Sequence, residues 1–129
     1  MQAMADQEFA SVLGLSGKQR YSYFVKKVAD WEHIWSLASE AGWVLAYADE
    51  REVVPVWSHP RFAASCASDE WANHFPRSIP LTMWLERWTP GMVDDRRLVA
   101  VFPTPHDKGV VVSPNQLRDD IRDELLLIE

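Results

Sequence analysis

Seven tryptophans are spread along this chain, at Trp31, Trp35, Trp43, Trp57, Trp71, Trp84 and Trp88. Burying one indole removes roughly 150–250 Å² from water. At ~25 cal/mol per Å² that is about 4–6 kcal/mol per ring, as an upper bound. Most of the seven fall where a helix or strand would turn a side chain inward. They predict an aromatic-rich core, and they say little about chemistry.

The chain is long enough for such a core. At 129 residues it is expected to form one domain without needing disulfides or metal. Apolar residues make up 47% and charged residues 25%, a globular rather than a disordered balance. The net charge of −6 argues against nucleic acid, whose binders need basic patches. It argues equally against an anionic membrane surface. A basic protein partner would suit it. The one cysteine, Cys66, excludes an internal disulfide and fits a reducing cytoplasm. Met1 to Leu15 has neither the basic start nor the apolar run of a secretory signal. No apolar stretch approaches the ~18 residues of a membrane span.

Periodicity then places the elements. Residues 1–15 read as an N-terminal extension with a short helix over 4–13, stopped at Gly14. Residues 16–129 read as the single α+β domain. Ser16 and Gln19 have capping-box spacing, and Tyr21, Phe24, Val25 and Val28 share one helical face. A helix is expected over about 17–30, with Lys18, Arg20, Lys26 and Lys27 on its solvated side. The period then falls to two. Ile34–Leu37, Trp43–Tyr47 and Val53–Trp57 read as an antiparallel meander. Pro55 should put the third strand at an edge or bulge.

Ser58-His59-Pro60 looks like a helix start, with Phe62, Ala63 and Cys66 facing inward. A short strand over His74–Ile79 and a helix marked by Leu81, Trp84, Leu85 and Trp88 follow. Thr89-Pro90-Gly91 should break that helix. Leu98–Phe102 and Val110–Val112 form a hairpin. Ser113-Pro114-Asn115-Gln116 starts a last helix, with a buried stripe at Leu117, Ile121, Leu125 and Ile128. Helices and hairpins interleave without regular βαβ alternation. The fold class is therefore α+β: an antiparallel or mixed sheet of about five to six strands, with helices packed against it.

Chemical motifs are missing. The five glycines form no phosphate-binding loop, and the four histidines form no HExxH. Cys66, among small residues of an amphipathic helix, reads as a buried thiol. Asp94-Asp95 and Asp119-Asp120 are adjacent, so they do not face each other on a helix. No catalytic residue, metal ligand or cofactor is expected. The segment Val53–Trp88 is densest in aromatics, prolines and histidines. A groove, if the chain has one, is expected there. Its candidate binding residues are Trp57, His59, Trp71, His74 and Trp88, because pockets and interface hot spots combine aromatics with a few polar groups.

Val54-Pro55-Val56-Trp57-Ser58-His59-Pro60, Cys66, Trp71, Pro76-Arg77-Ser78-Ile79-Pro80-Leu81 and Val101-Phe102-Pro103 resemble a family of short bacterial proteins, domain of unknown function family 2750. The resemblance covers about residues 16–127. It implies a bacterial, stand-alone cytoplasmic protein, and it carries no catalytic residue over. The order of elements is also similar to that of some immunity proteins of bacterial toxin systems, a likeness of architecture alone. The function expected is a non-enzymatic protein-interaction or regulatory domain, immunity-like, acting as monomer or homodimer on an unidentified protein partner. The alternative is a small-molecule binding module with a Trp/His-lined pocket.

Overall fold

The computed structural model describes residues 3–128; residues 1, 2 and 129, the outer ends of the two expected segments, lie outside it. Helix α1 (Asp6–Leu13) ends at Gly14, and α2 (Gly17–Trp31) begins at Ser16. The capping box forms as its spacing requires. Ser16 Oγ accepts from the Gln19 N–H at 3.2 Å, and Gln19 Oε1 accepts from the Ser16 N–H at 3.0 Å. α1 packs on the domain through the buried Val12 and through Phe9, stacked on Phe62 at 5.4 Å.

Among the described residues the strands build two sheets, seven strands in all. The first has the order β2-β1-β5, from β1 (His33–Ser39), β2 (Gly42–Trp43) and β5 (Phe75–Pro80), all antiparallel. The second has the order β3-β4-β6-β7, from β3 (Ala46–Ala48), β4 (Arg51–Val56), β6 (Leu98–Val101) and β7 (Val110–Val112). The fold is therefore α+β, with one more strand than the upper expected count and two sheets in place of one.

The expected meander is corrected. Its middle strand is two short ones, since β2 pairs with β1 and β3 with β4, and the chain changes sheet between them. β1 and β4 meet directly beyond that switch. Trp35 and Trp57 exchange two backbone hydrogen bonds of 2.8 Å and so stitch the sheets together. β4 is also an inner strand, flanked by β3 and by a parallel β6. Burial on both faces explains its apolar run: Val53, Val54 and Val56 are all buried, as are Val99, Ala100 and Val101 of β6. Pro55 fits because the ladder is one-sided at that point. Val56 bonds towards β6, so Pro55 faces the other way, past the end of β3. There its carbonyl accepts from Ser36 Oγ at 2.7 Å.

Helix α3 (Pro60–Ser65) buries Phe62 and Ala63, with Cys66 closing it; a 3₁₀ turn (Asp69–Trp71) follows. The next helix does not break at Thr89-Pro90-Gly91. It runs through α4 (Leu81–Met83), a π-helical segment (Trp84–Trp88) and α5 (Thr89–Asp94). The wider turn absorbs the proline: the Thr89 N–H and its hydroxyl, the latter at 3.0 Å, both donate to the Trp84 carbonyl. Helix α6 (Pro114–Ile128) starts where Ser113 Oγ accepts from the Gln116 N–H at 3.1 Å. Leu117 and Ile121 are buried, whereas Ile128 is exposed, so the stripe does not reach the end of the helix.

Two further expectations change. Only Trp57 and Trp84 are fully buried; the other five tryptophans keep part of their surface in solvent. Arg20 is not on a solvated face. It is buried and holds the loop after β6: Nε donates to the Phe102 carbonyl at 3.2 Å, Nη2 pairs with Asp107 at 2.6 Å, and Nη1 donates to the Leu15 carbonyl.

Candidate ligand-binding cleft

The half-exposed tryptophans lead to the site. α2 ends at Trp31, and Glu32 caps it in the left-handed region (φ 62°), its N–H donating to the Val28 carbonyl at 2.8 Å. The Glu32 carbonyl accepts from the Leu81 N–H at 2.9 Å, which pins the reversal into β1. Along β1 the side chains alternate. Ile34 and Ser36 go into the core, so His33 and Trp35 fall on the opposite side. Ser78 of β5 lies beside Trp35 in the register. Past the Trp35–Trp57 bridge, Ser58 and His59 complete the wall.

Asp30, Trp31, His33, Trp35, Ser58, His59 and Ser78, together with Ala3 from before α1, line a cleft of about 810 Å³. That volume lies in the range of small-molecule sites, roughly 300–1,000 Å³. The His59 ring meets Trp31 edge-on at 6.0 Å. His59 also caps α3, its Nδ1 accepting from the Arg61 N–H at 3.1 Å. An accepting Nδ1 puts the ring proton of a neutral imidazole on Nε2. Ser58 is 1% exposed, and its Oγ has no hydrogen-bond partner among the described residues. Lys27 extends its ammonium over the Trp31 ring at 5.0 Å and the Tyr23 ring at 5.6 Å.

The five residues singled out in the sequence do not come together. His59 is in this cleft. Trp57 is fully buried, with its indole N–H donating to the Pro103 carbonyl at 2.8 Å. Trp71 lines a second groove of about 570 Å³, with Cys66 and Asp107. Trp88 lines a third, of about 380 Å³, and packs edge-on to Trp43 at 4.9 Å. His74 is half-buried, with a buried Nδ1 that has no partner among the described residues. Trp31, His33, Trp35, Asp30 and Ser78 were missed. The signal for three of them was available: Trp31, His33 and Trp35 are spaced by two across a helix-to-strand junction.

Cys66 is a poor nucleophile where it stands. Burial pushes its thiol pKa up, only partly offset by the Ser65 hydroxyl, and Sγ lies 3.5 Å from the Pro103 carbonyl. Among the described residues no three His, Cys, Asp or Glu side chains converge as a metal site requires. No helix there is long and apolar enough to cross a membrane.

A family model described as protein of unknown function (DUF2750) matches residues 21–121. That span runs from within α2 to the middle of α6 and takes in every described cleft residue except Ala3. No curated protein and no solved structure matches the chain.

Proposed function

The chain belongs to this family, whose description names no activity, and on that premise we propose that it is a cytoplasmic small-molecule binding protein whose site is the Trp31–Trp35 cleft. One observation supports this above others: two half-exposed indoles and two imidazoles share one concavity large enough for a metabolite. Aromatic walls with a few polar groups bury a ligand and fix its orientation. The site holds hydroxyls and imidazoles but no assembled nucleophile, which favours binding over catalysis.

A thermal-shift screen of metabolites tests this reading. A ligand that binds only the folded chain stabilises it by RT ln(1 + [L]/Kd). Ser78→Phe would fill the cleft from β5. Ligands that stabilise the natural chain and lose their effect in Ser78→Phe support the reading. Ligands that act equally on both are bound elsewhere and overturn it.

A protein-interaction role has its own observation. Leu126, Leu127 and Ile128 are 69%, 78% and 56% exposed at the end of α6. Contiguous exposed apolar side chains mark contact surfaces. Sedimentation of the natural chain beside Leu126→Glu/Leu127→Glu separates a homodimer, which the double variant would dissolve, from a monomer that it would leave unchanged.

A further inference from the structure

Resting on the ligand-binding reading, we infer that the cleft takes an organic ammonium cation. Three features of the cleft point to that charge, two of them resting on Asp30 and one on the indoles. First, among the described lining residues Asp30 alone carries a formal charge at neutral pH, and it makes no ion pair with another described residue. No Lys or Arg among the described residues lines the wall to receive an anion. Second, Asp30 is the next-to-last residue of α2, which has no basic residue in its last turn. A carboxylate there adds to the negative end of the helix dipole instead of opposing it. A bound cation near Asp30 would oppose that added negative charge. Third, the walls are indoles, whose negative π faces attract ammonium groups. Trp31 already demonstrates this with a group of the chain itself, since the Lys27 ammonium sits 5.0 Å from its ring.

A cation with alkyl substituents uses all of these at once. Its apolar surface leaves water against Trp31 and Trp35, and its charge faces the indole and the Asp30 carboxylate. The net charge of −6 raises the local concentration of cations around the whole molecule. An alkali-metal ion would gain less, because it is strongly hydrated and brings no apolar surface.

The test titrates the full chain with four probes at matched ionic strength: tetramethylammonium chloride, choline chloride, glucose and sodium phosphate. Sodium chloride serves as the blank. The readout is the indole resonances of Trp31 and Trp35 in nitrogen-15 spectra, followed together with the melting temperature. Saturable shifts at both indoles with the two ammonium probes, absent with glucose and phosphate, are expected. Asp30→Asn changes an exposed side chain and leaves the fold intact. It should weaken ammonium binding by up to about fivefold, a loss of up to about 1 kcal/mol. Ammonium binding that Asp30→Asn leaves unchanged overturns the inference. Saturation by glucose or phosphate alone also overturns it, while the cleft remains a ligand site. If no probe of any charge moves either indole, the inference and the ligand-binding reading fall together.

Discussion

Trp35 and Trp57 exchange two backbone hydrogen bonds, yet their rings have opposite surroundings. Trp57 is sealed. Its indole N–H is satisfied by Pro103, and the loop that supplies that carbonyl is held at several points. Phe102 N–H donates to Val56 at 2.9 Å, Arg20 Nε donates to the Phe102 carbonyl, and Thr104 and Asp107 bridge each other. Gly109 closes the loop at φ 84°, where a Cβ would stand 2.6 Å from the Val101 carbonyl. Trp35 has no such cover. It stands with Trp31 beside Ser58, whose hydroxyl has no partner among the described residues. The difference teaches that residue type does not decide a tryptophan's role here. What decides it is whether a satisfied loop covers the ring or a cleft leaves it open.

The largest expected effect tests the sealed side. Trp57→Ala removes a fully buried ring and should cost about 3–5 kcal/mol, read as a lowered urea midpoint at unchanged slope. A cost below about 1 kcal/mol would mean that the loop collapses into the vacancy, and the ring would then not be what the loop is built around. Arg20→Met comes next. It keeps the apolar stem but leaves the Phe102 and Leu15 carbonyls without their donor. About 1–3 kcal/mol is expected. The ion pair itself adds little to that figure, because Asp107 is 45% exposed and well screened.

Acid should loosen the same loop. The hydrogen bond from Arg20 holds the Asp107 carboxyl below the usual carboxylate range, helped by the Gly109 N–H at 2.9 Å. The unfolded chain, with an aspartate pKa of about 3.9, therefore takes up this proton first. The contribution is complete above about pH 5 and is lost as pH falls through the depressed folded value. Asp107→Asn should flatten that part of the stability–pH curve, a small change set against the whole acid limb. An identical slope in both chains would show that the loop is held without the carboxylate.

Much of the frame was legible in the sequence, because its signals are local. Ser16 with Gln19 and Ser113 with Gln116 announce two helix starts that depend on neighbouring backbone only. The corrections within β4 came from a partner distant in the chain, whereas the π-helical turn is a local choice that the proline leaves open. A run such as Val53–Val56 reads alike beside a parallel or an antiparallel neighbour, and the β6 partner lies more than forty residues on in sequence. Pro90 announces a missing donor but not whether the helix will end or widen. Arg20 carries the same helical spacing whether it faces water or the Phe102 carbonyl. The site was the least legible part. His59 and Ser58 stand in the dense segment that drew attention, but Trp31 and Trp35 join them only because the Trp35–Trp57 bridge brings β1 against the end of β4. Density of aromatics along the chain pointed to residues that the fold distributes among the core and three separate grooves.

A small expected effect on stability is the sharpest test of the contrast between the two rings. Trp31→Ala removes a half-exposed indole and its contacts with Lys27 and His59. Cation–π contact at such a site is worth about 0.5–1 kcal/mol, and the ring's other losses are offset in part by solvent. A total cost near 1 kcal/mol is expected in the urea titration used for Trp57→Ala. A binding wall can be built this way, because a ring that contributes little to folding keeps its free surface for a ligand. If Trp31→Ala costs as much as Trp57→Ala, the indole is core in all but exposure. The cleft would then be a surface dimple over packed structure, and the distinction between the two tryptophan environments would disappear.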